Sequence, residues 1–374
     1  MSAARLARLS LQDYRSYSAV DIRFDGRPVA FFGPNGAGKT NLLEALSLFA
    51  PGRGLRRATL KDLPRTDGVG GWAASLTMAD TDGDVRLGVG ADAGAPDKKL
   101  CRVDGEATGP GAFAERLRFL WLTPALDRLF AEGAGERRRF LDRMTLAHEP
   151  AHAGAASAFE RAMRERQKLL DDGRADPAWL DGLEARMAEA GVAIAAARRA
   201  MVDRLEASSV AEGAFPAAEI EIEGVLERTI SGEDRAAVEA GYLERLARAR
   251  RRDADAGRAL EGPHRSDLKV VHAAKGQPAK ACSTGEQKAL LIGLVLANAK
   301  ALKIAEPLGP PLVLLLDELA AHLDESRRSA LFSAIDSLGV QAFSTGSDRP
   351  LFDAWEERCQ RVRIEAGAAY PEDG

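Results

Sequence analysis

The period of apolar positions changes along the chain, and each period predicts an element. RLARLSLQDY (Arg5 to Tyr14) and SAVDIRFDG (Ser18 to Gly26) alternate, as a half-exposed antiparallel sheet would. ASLTMADTDGDVRLGVGADA and KLCRVDGEATG read as hairpin strands turning at Asp82-Gly83 and Asp104-Gly105. Two runs are apolar without alternation, Pro28 to Phe32 and Leu312 to Leu316, and VQAFSTGSD reads as a strand from Val340 to Phe343 ending at Ser344-Thr345. Continuous burial of that kind suits parallel strands covered on both faces. Elsewhere the period is helical. Leu42, Leu46 and Phe49 share a face, as do Leu290, Leu294, Ala297 and Leu302. Leu180, Leu183, Met187, Ala190, Ile194, Ala197, Met201 and Leu205 repeat at three and four, a coiled-coil-like seam. Phe159, Met163 and Leu170 form a matching face before Gly173, and Asp176-Pro177 makes the turn. The expected product is an antiparallel helical hairpin over residues 155–208, about 45 Å long at 1.5 Å per residue. The tail EAGAAYPEDG is expected to fray.

Composition narrows the class. Of 374 residues 45% are apolar, enough for a sizeable core. With 52 Lys and Arg against 56 Asp and Glu, the net charge of -4 excludes a globally basic nucleic-acid binder but not a local basic face. Cys101, Cys282 and Cys359 are scattered, with no Cys-x-x-Cys, which excludes a zinc ribbon, a zinc hook or a disulfide framework. The opening MSAARLARLSLQDYRSY has no apolar signal core, and the apolar run Ala289 to Ala297 is too short for a bilayer. A cytoplasmic protein is expected.

The candidate chemistry begins at FFGPNGAGKTN. Gly33, Pro34, Asn35, Gly36, Ala37, Gly38, Lys39 and Thr40 fit G-x-x-x-x-G-K-[ST], with Asn41 following, between an apolar strand and an amphipathic helix. Such glycines let backbone N–H groups curl around phosphate oxygens at a helix N-terminus. Lys39 would reach the β- and γ-phosphates of ATP, and Thr40 would place its hydroxyl on Mg²⁺. Asp317 and Glu318 end the strand Leu312 to Leu316, where open α/β sheets bind ligands. Asp317 is the expected acid near Mg²⁺ and Glu318 the expected residue polarising the attacking water.

STGEQKALL, from Ser283, resembles the signature loop of ATP-binding-cassette ATPases. That resemblance implies that Ser283 and Gly285 bind the γ-phosphate of a nucleotide held by a second copy, and that Asp324 in AAHLDES contacts the partner. It therefore implies an ATP-dependent homodimer. Read by itself, the loop is also an ordinary capping box on Ser283 or Thr284 with Glu286 or Gln287. Near Ser344-Thr345, where transporter ATPases carry a His that senses the γ-phosphate, this chain has none, which leaves Thr345 as a candidate.

Lys39 and Ser283 stand 244 positions apart, so a segment is inserted in the cassette. The helical hairpin inside it is far shorter than the coiled coils of chromosome-condensing SMC proteins. With LSLQDYRSY, GPNGAGKTNLLEAL, GRGLRRATLKDL, LTPALDRLFAEGAGERRRFLDR (through Pro124, Gly133, Arg137, Arg138, Phe140, Leu141 and Asp142), GPHRSDL and LLLDELAAHLDESRRSAL (His322 included), the chain resembles the RecF family over nearly its whole length. Ala125 and Ala134 depart from that pattern.

The resemblance implies an α/β fold. An ABC-type ATPase head, a mixed sheet with a P-loop core plus an antiparallel β subdomain, would carry an inserted helical second lobe bearing the hairpin. The expected division is 1–118 with 256–374 as an ATP-binding lobe, and 119–255 as the helical lobe. It further implies a weak DNA-stimulated ATPase acting as a clamp on double-stranded, gapped or single-stranded DNA, nucleoid-associated. Such a clamp would work in repair, replication and the SOS response with RecO, RecR and RecA.

Arg53, Arg56, Arg57, Lys61 and Arg65, facing only Asp62, are the expected phosphate contacts, ahead of the runs Arg137 to Arg139 and Arg248 to Arg252. Two other classes fit less well. A transporter ATPase subunit has no such insert, and a metabolic P-loop kinase has no use for Ser283 and Gly285.

Overall fold

A computed structural model of the protein describes residues 4–80, 83–109, 111–173, 176–209, 211, 213–230, 232 and 234–372. Asp82 and the side chain of His322 lie outside the described residues. The chain forms two compact units. The first contains Met1–Leu126, Gly213–Phe215 and Ala299–Gly374, and the second Asp127–Glu212 and Pro216–Asn298.

In the first unit, β1 (Arg5–Tyr14) and β2 (Tyr17–Arg23) form the opening hairpin; β3 (Val29–Phe32) and α1 (Lys39–Ser47) follow. Then come β4 (Trp72–Ala79), β5 (Val85–Ala91), β6 (Leu100–Val103), β7 (Glu106–Thr108), the short α2 (Gly111–Ala114) and β8 (Arg118–Leu122). The alternating strands make an antiparallel sheet in the order β2-β1-β4-β5-β6-β7. Leu6, Leu9, Leu76 and Leu87 on its inner face join Leu42, Leu46 and Phe49 of α1 in one core.

The second unit carries α3 (Ala134–His148), α4 (His152–Asp172), α5 (Pro177–Ser208), β9 (Ala218–Glu223), α6 (Val225–Thr229), α7 (Arg235–Ala256), β10 (Asp267–His272) and β11 (Gln277–Pro278). It also holds the start of α8 (Thr284–Ala305). Asp176 caps α5 by accepting from the N–H of Ala178 at 2.9 Å, with Pro177 in the first turn. Both hairpin helices form where expected. The seam of α5 buries Leu183, Met187 and Ile194 in a core with Phe159 of α4 and Tyr242 and Leu246 of α7.

The remaining elements return to the first unit: β12 (Leu312–Leu316), α9 (Glu325–Leu338), β13 (Gln341–Gly346), β14 (Gln360–Glu365) and β15 (Ala368–Glu372). The central sheet has the order β15-β14-β3-β13-β12-β8 and is parallel except for the β14–β15 hairpin. Every residue of β3, β12 and β13 is buried; β3 and β12 are unbroken apolar runs, whereas β13 also buries Gln341, Ser344 and Thr345.

The structure corrects two expectations. Residues 119–126 belong to the first unit, because β8 pairs with β12, whereas 256–298 belong to the second. There β10 pairs with β9, and Arg137 of α3 holds Asp267 with two bonds of 2.7 and 2.8 Å. The tail does not fray through Glu372, because β15 pairs with β14.

Candidate nucleotide site

The phosphate loop leaves β3 at Gly33, whose φ of 147° suits glycine. A Cβ there would lie 2.1 Å from the carbonyl oxygen of Ile364. Gly38, at φ 109°, would bring a Cβ to 2.7 Å from Tyr17 Oη, which itself donates to the Gly38 carbonyl at 3.0 Å. The loop is thus backed by β14 on one side and by the β1–β2 turn on the other. α1 begins at Lys39 with no side-chain cap, which leaves its N-terminal dipole to an anion.

Lys39 is buried, and its Nζ donates to the carbonyls of Gly33 at 2.6 Å and Pro34 at 2.9 Å. Burial lowers the pKa of this ammonium, opposed by the charges of Glu318, Asp317 and Asp348. Thr40 Oγ1 donates to Asp317 Oδ1 at 2.8 Å, across 277 positions of sequence. The same oxygen accepts from Thr345 Oγ1 at 2.9 Å. Thr345 Oγ1 in turn accepts the backbone N–H of Glu318 at 2.8 Å. Burial raises the Asp317 pKa, opposed by the two threonine hydrogen bonds. Glu318 is half-buried and sits at φ 52°, a rare conformation for a residue with a Cβ.

A hydroxyl beside a desolvated carboxylate at the end of a phosphate loop fits Mg²⁺, a hard cation that takes oxygen ligands. Thr40 would be the direct ligand and Asp317 the acid behind it. When bound, the ion would neutralise charge on the phosphates.

Asn41 draws two further side chains to the site, Ser16 and Arg56. Asn41 Nδ2 donates to Ser16 Oγ at 3.0 Å, and its Oδ1 accepts from Arg56 Nη1 at 3.1 Å. The charge of Arg56 also lowers the Asp317 pKa. Arg56, expected on DNA, is therefore at the nucleotide site. Behind α1, buried Glu44 takes two bonds of 2.8 Å from Arg15, which also donates to the carbonyl of Asp62 at 2.7 Å. The basic segment is thus fastened to the helix that starts at the phosphates.

Of the other expected DNA contacts, Arg65 is engaged by Asp13 at 3.1 Å. Arg53, Arg57 and Lys61 are exposed and form no ion pair among the described residues. Arg57 sits at φ 59°. The two later runs are mostly structural. Arg137 holds Asp267, Arg138 donates to the Ser266 carbonyl at 2.6 Å, and Arg139 pairs with Glu136. Arg248, Arg250 and Arg252 pair with Glu244, Glu184 and Glu261.

In the second unit, Ser283 and Glu286 close a reciprocal capping box at the start of α8. The Ser283 N–H donates to Glu286 Oε2 at 2.9 Å, and the Glu286 N–H donates to Ser283 Oγ at 3.4 Å. Lys275 pairs with Glu286 and, with the cap, holds its carboxyl down at about 2. Ser283 and Thr284 are exposed and Gly285 half-exposed, while the Ser283 and Glu286 N–H groups are taken by the capping box. Asp324 is exposed and caps α9, accepting the N–H of Arg327 at 2.8 Å.

A parallel core with a phosphate loop, paired acids at the end of β12 and a serine-capped helix define a nucleotide-binding head of the ABC type. Among solved structures, "the recombination mediator protein RecF-ATP in RecFOR pathway" shares the fold with a TM-score of 0.83 at 20% identity, over 99% of this chain and 98% of that one. An Smc head domain derived from Pyrococcus furiosus shares it at a TM-score of 0.54 and 14% identity, over 99% and 96%. The family described as "RecF/RecN/SMC N terminal domain" matches residues 5–368. The "DNA replication and repair protein RecF" of Rhizobium etli is 47% identical over 98% of both chains, and that of Caulobacter vibrioides 47% over the whole of both. The chain belongs to the RecF family.

Proposed function

We propose that this chain is an ATP-driven DNA clamp of recombinational repair, a Mg²⁺-dependent ATPase whose two copies close on DNA when ATP binds. The hydrogen-bonded chain Thr40–Asp317–Thr345–Glu318 carries the reading. It joins the phosphate loop to the acid that would aim water, although Thr40 lies 277 positions from Asp317. Lys39 and the N–H groups of the loop would hold the β- and γ-phosphates. The Glu318 carboxylate would accept a hydrogen bond from the attacking water and turn its lone pair toward the γ-phosphorus, in line with the leaving oxygen. Ser283 and Gly285 of one copy would meet the γ-phosphate bound by the other, and Asp324 would contact the partner.

Arg53, Arg57 and Lys61 would meet DNA phosphates without reading bases. Their tether to α1 through Arg15 and Glu44 gives DNA a route to stimulate a weak hydrolysis that then opens the clamp. The names of the relatives, "DNA replication and repair protein" and "recombination mediator protein" in the "RecFOR pathway", support work in repair with RecO and RecR; gapped DNA as the substrate and the loading of RecA are what the family resemblance implies. No described helix is long and apolar enough to cross a membrane, and a nucleoid-associated cytoplasmic location fits DNA as partner.

Sedimentation velocity with and without ATP and duplex DNA tests this. Wild type is expected to shift to a dimer with ATP and to bind duplex, while Lys39→Arg stays monomeric with its fold intact. A Lys39→Arg variant that dimerises as wild type does would contradict the reading.

A further inference from the structure

We infer that Thr345 is the positioning residue that sets Glu318 for hydrolysis; this rests on the ATPase reading above. Thr345 is fully buried in β13, beside the end of β12. A threonine hydroxyl has one proton to give and lone pairs to receive. Here the proton goes to Asp317 Oδ1 at 2.9 Å, and a lone pair takes the Glu318 N–H at 2.8 Å.

Both acids of the site therefore hang on one side chain, and neither bond is local in sequence. Glu318 needs such an anchor. Its φ of 52° is sparsely populated for a residue with a Cβ, and such conformations persist where the surroundings hold them. Thr345 fixes the backbone N–H, and hence the direction in which the Glu318 side chain leaves the chain. Because its proton is already committed to Asp317, Thr345 holds the two acids in register rather than donating to a phosphate. Thr40 completes the register from the loop side, on the same Asp317 oxygen.

Valine has the shape of threonine without the hydroxyl, so Thr345→Val removes both bonds. It is expected to lower kcat about 10–100-fold, as loss of a supporting partner of a catalytic group does. Affinity for a non-hydrolysable ATP analogue and ATP-dependent dimerisation should stay at wild-type levels. Thr345→Ser restores the hydroxyl and should recover most of the rate. In a Glu318→Gln background, Thr345→Val should cost much less than it does in wild type, because most of its effect passes through Glu318.

Circular dichroism checks folding; if Thr345→Val does not fold, Thr345→Ala carries the same comparisons. A wild-type rate in Thr345→Val, a Ser variant as slow as Val, a matching loss of nucleotide affinity, or a loss on Glu318→Gln as large as that on wild type would each overturn the inference. A wild-type protein that hydrolyses no more ATP than Lys39→Arg would instead remove the ATPase reading itself.

Discussion

Glu318 and Asp142 use the same side chain chemistry to opposite ends. The Glu318 backbone is strained and its carboxylate stands at the nucleotide site, whereas Asp142 of α3 is wholly engaged. Arg198 grips Asp142 with bonds of 2.7 and 2.9 Å, and His152 adds another at 2.9 Å. Burial pushes this carboxyl up, but the His152 hydrogen bond and the Arg198 charge together pull it down to about 2, from an ordinary value of 3.8. A depressed carboxyl stabilises the fold above its unfolded pKa. That stability drains away as pH falls from about 4 toward about 2, and amounts to about 2 kcal/mol. Urea unfolding across that window should show wild type losing stability faster than Asp142→Asn. Parallel curves would mean that the Arg198 clasp does not act as argued.

At the scale of elements, a buried charge cluster closes the helical unit. Arg166 of α4 donates to Glu184 of α5 at 2.8 Å, to Asp253 of α7 at 2.7 Å and to the Leu246 carbonyl at 2.8 Å. All three side chains are almost fully buried. Breaking such a cluster from one side leaves uncompensated charge, so Arg166→Ala should cost about 3–5 kcal/mol in denaturant unfolding. A cost below about 1 kcal/mol would show that water or Arg250 compensates.

The two hairpin helices were legible from their three-and-four spacing, but their third partner was not. α7 is rich in arginine and shows only a short apolar stripe, so its run Arg248 to Arg252 reads as a basic surface until Glu184, Asp181 and Glu261 are seen to meet it. The nucleotide site divides the same way. Gly33 to Thr40, Asp317 and Glu318 are contiguous motifs. Arg56 and Tyr17 enter through tertiary contacts that no spacing encodes, whereas Thr345 stands out in the sequence only as the residue near the place of the transporter His.

For the whole molecule, the net charge of -4 leaves DNA binding to local features. Three exposed cations in the loop after α1 are the best placed. Replacing Arg53, Arg57 and Lys61 with alanine should weaken duplex binding alike for all sequences and reduce the salt slope by about 1 per residue. An unchanged slope would move the DNA contact elsewhere. The larger claim is that two copies share each nucleotide, Lys39 from one and Ser283 from the other.

Mixing tests that claim most directly. Lys39→Arg and Ser283→Arg should each stay monomeric with ATP. Combined, they can build one intact site, from the unmodified Lys39 of one and the unmodified Ser283 of the other. Sedimentation of the equimolar mixture with ATP should give a dimer boundary that neither variant gives alone. A mixture that stays monomeric, or a Ser283→Arg protein that dimerises unaided, would contradict a shared site.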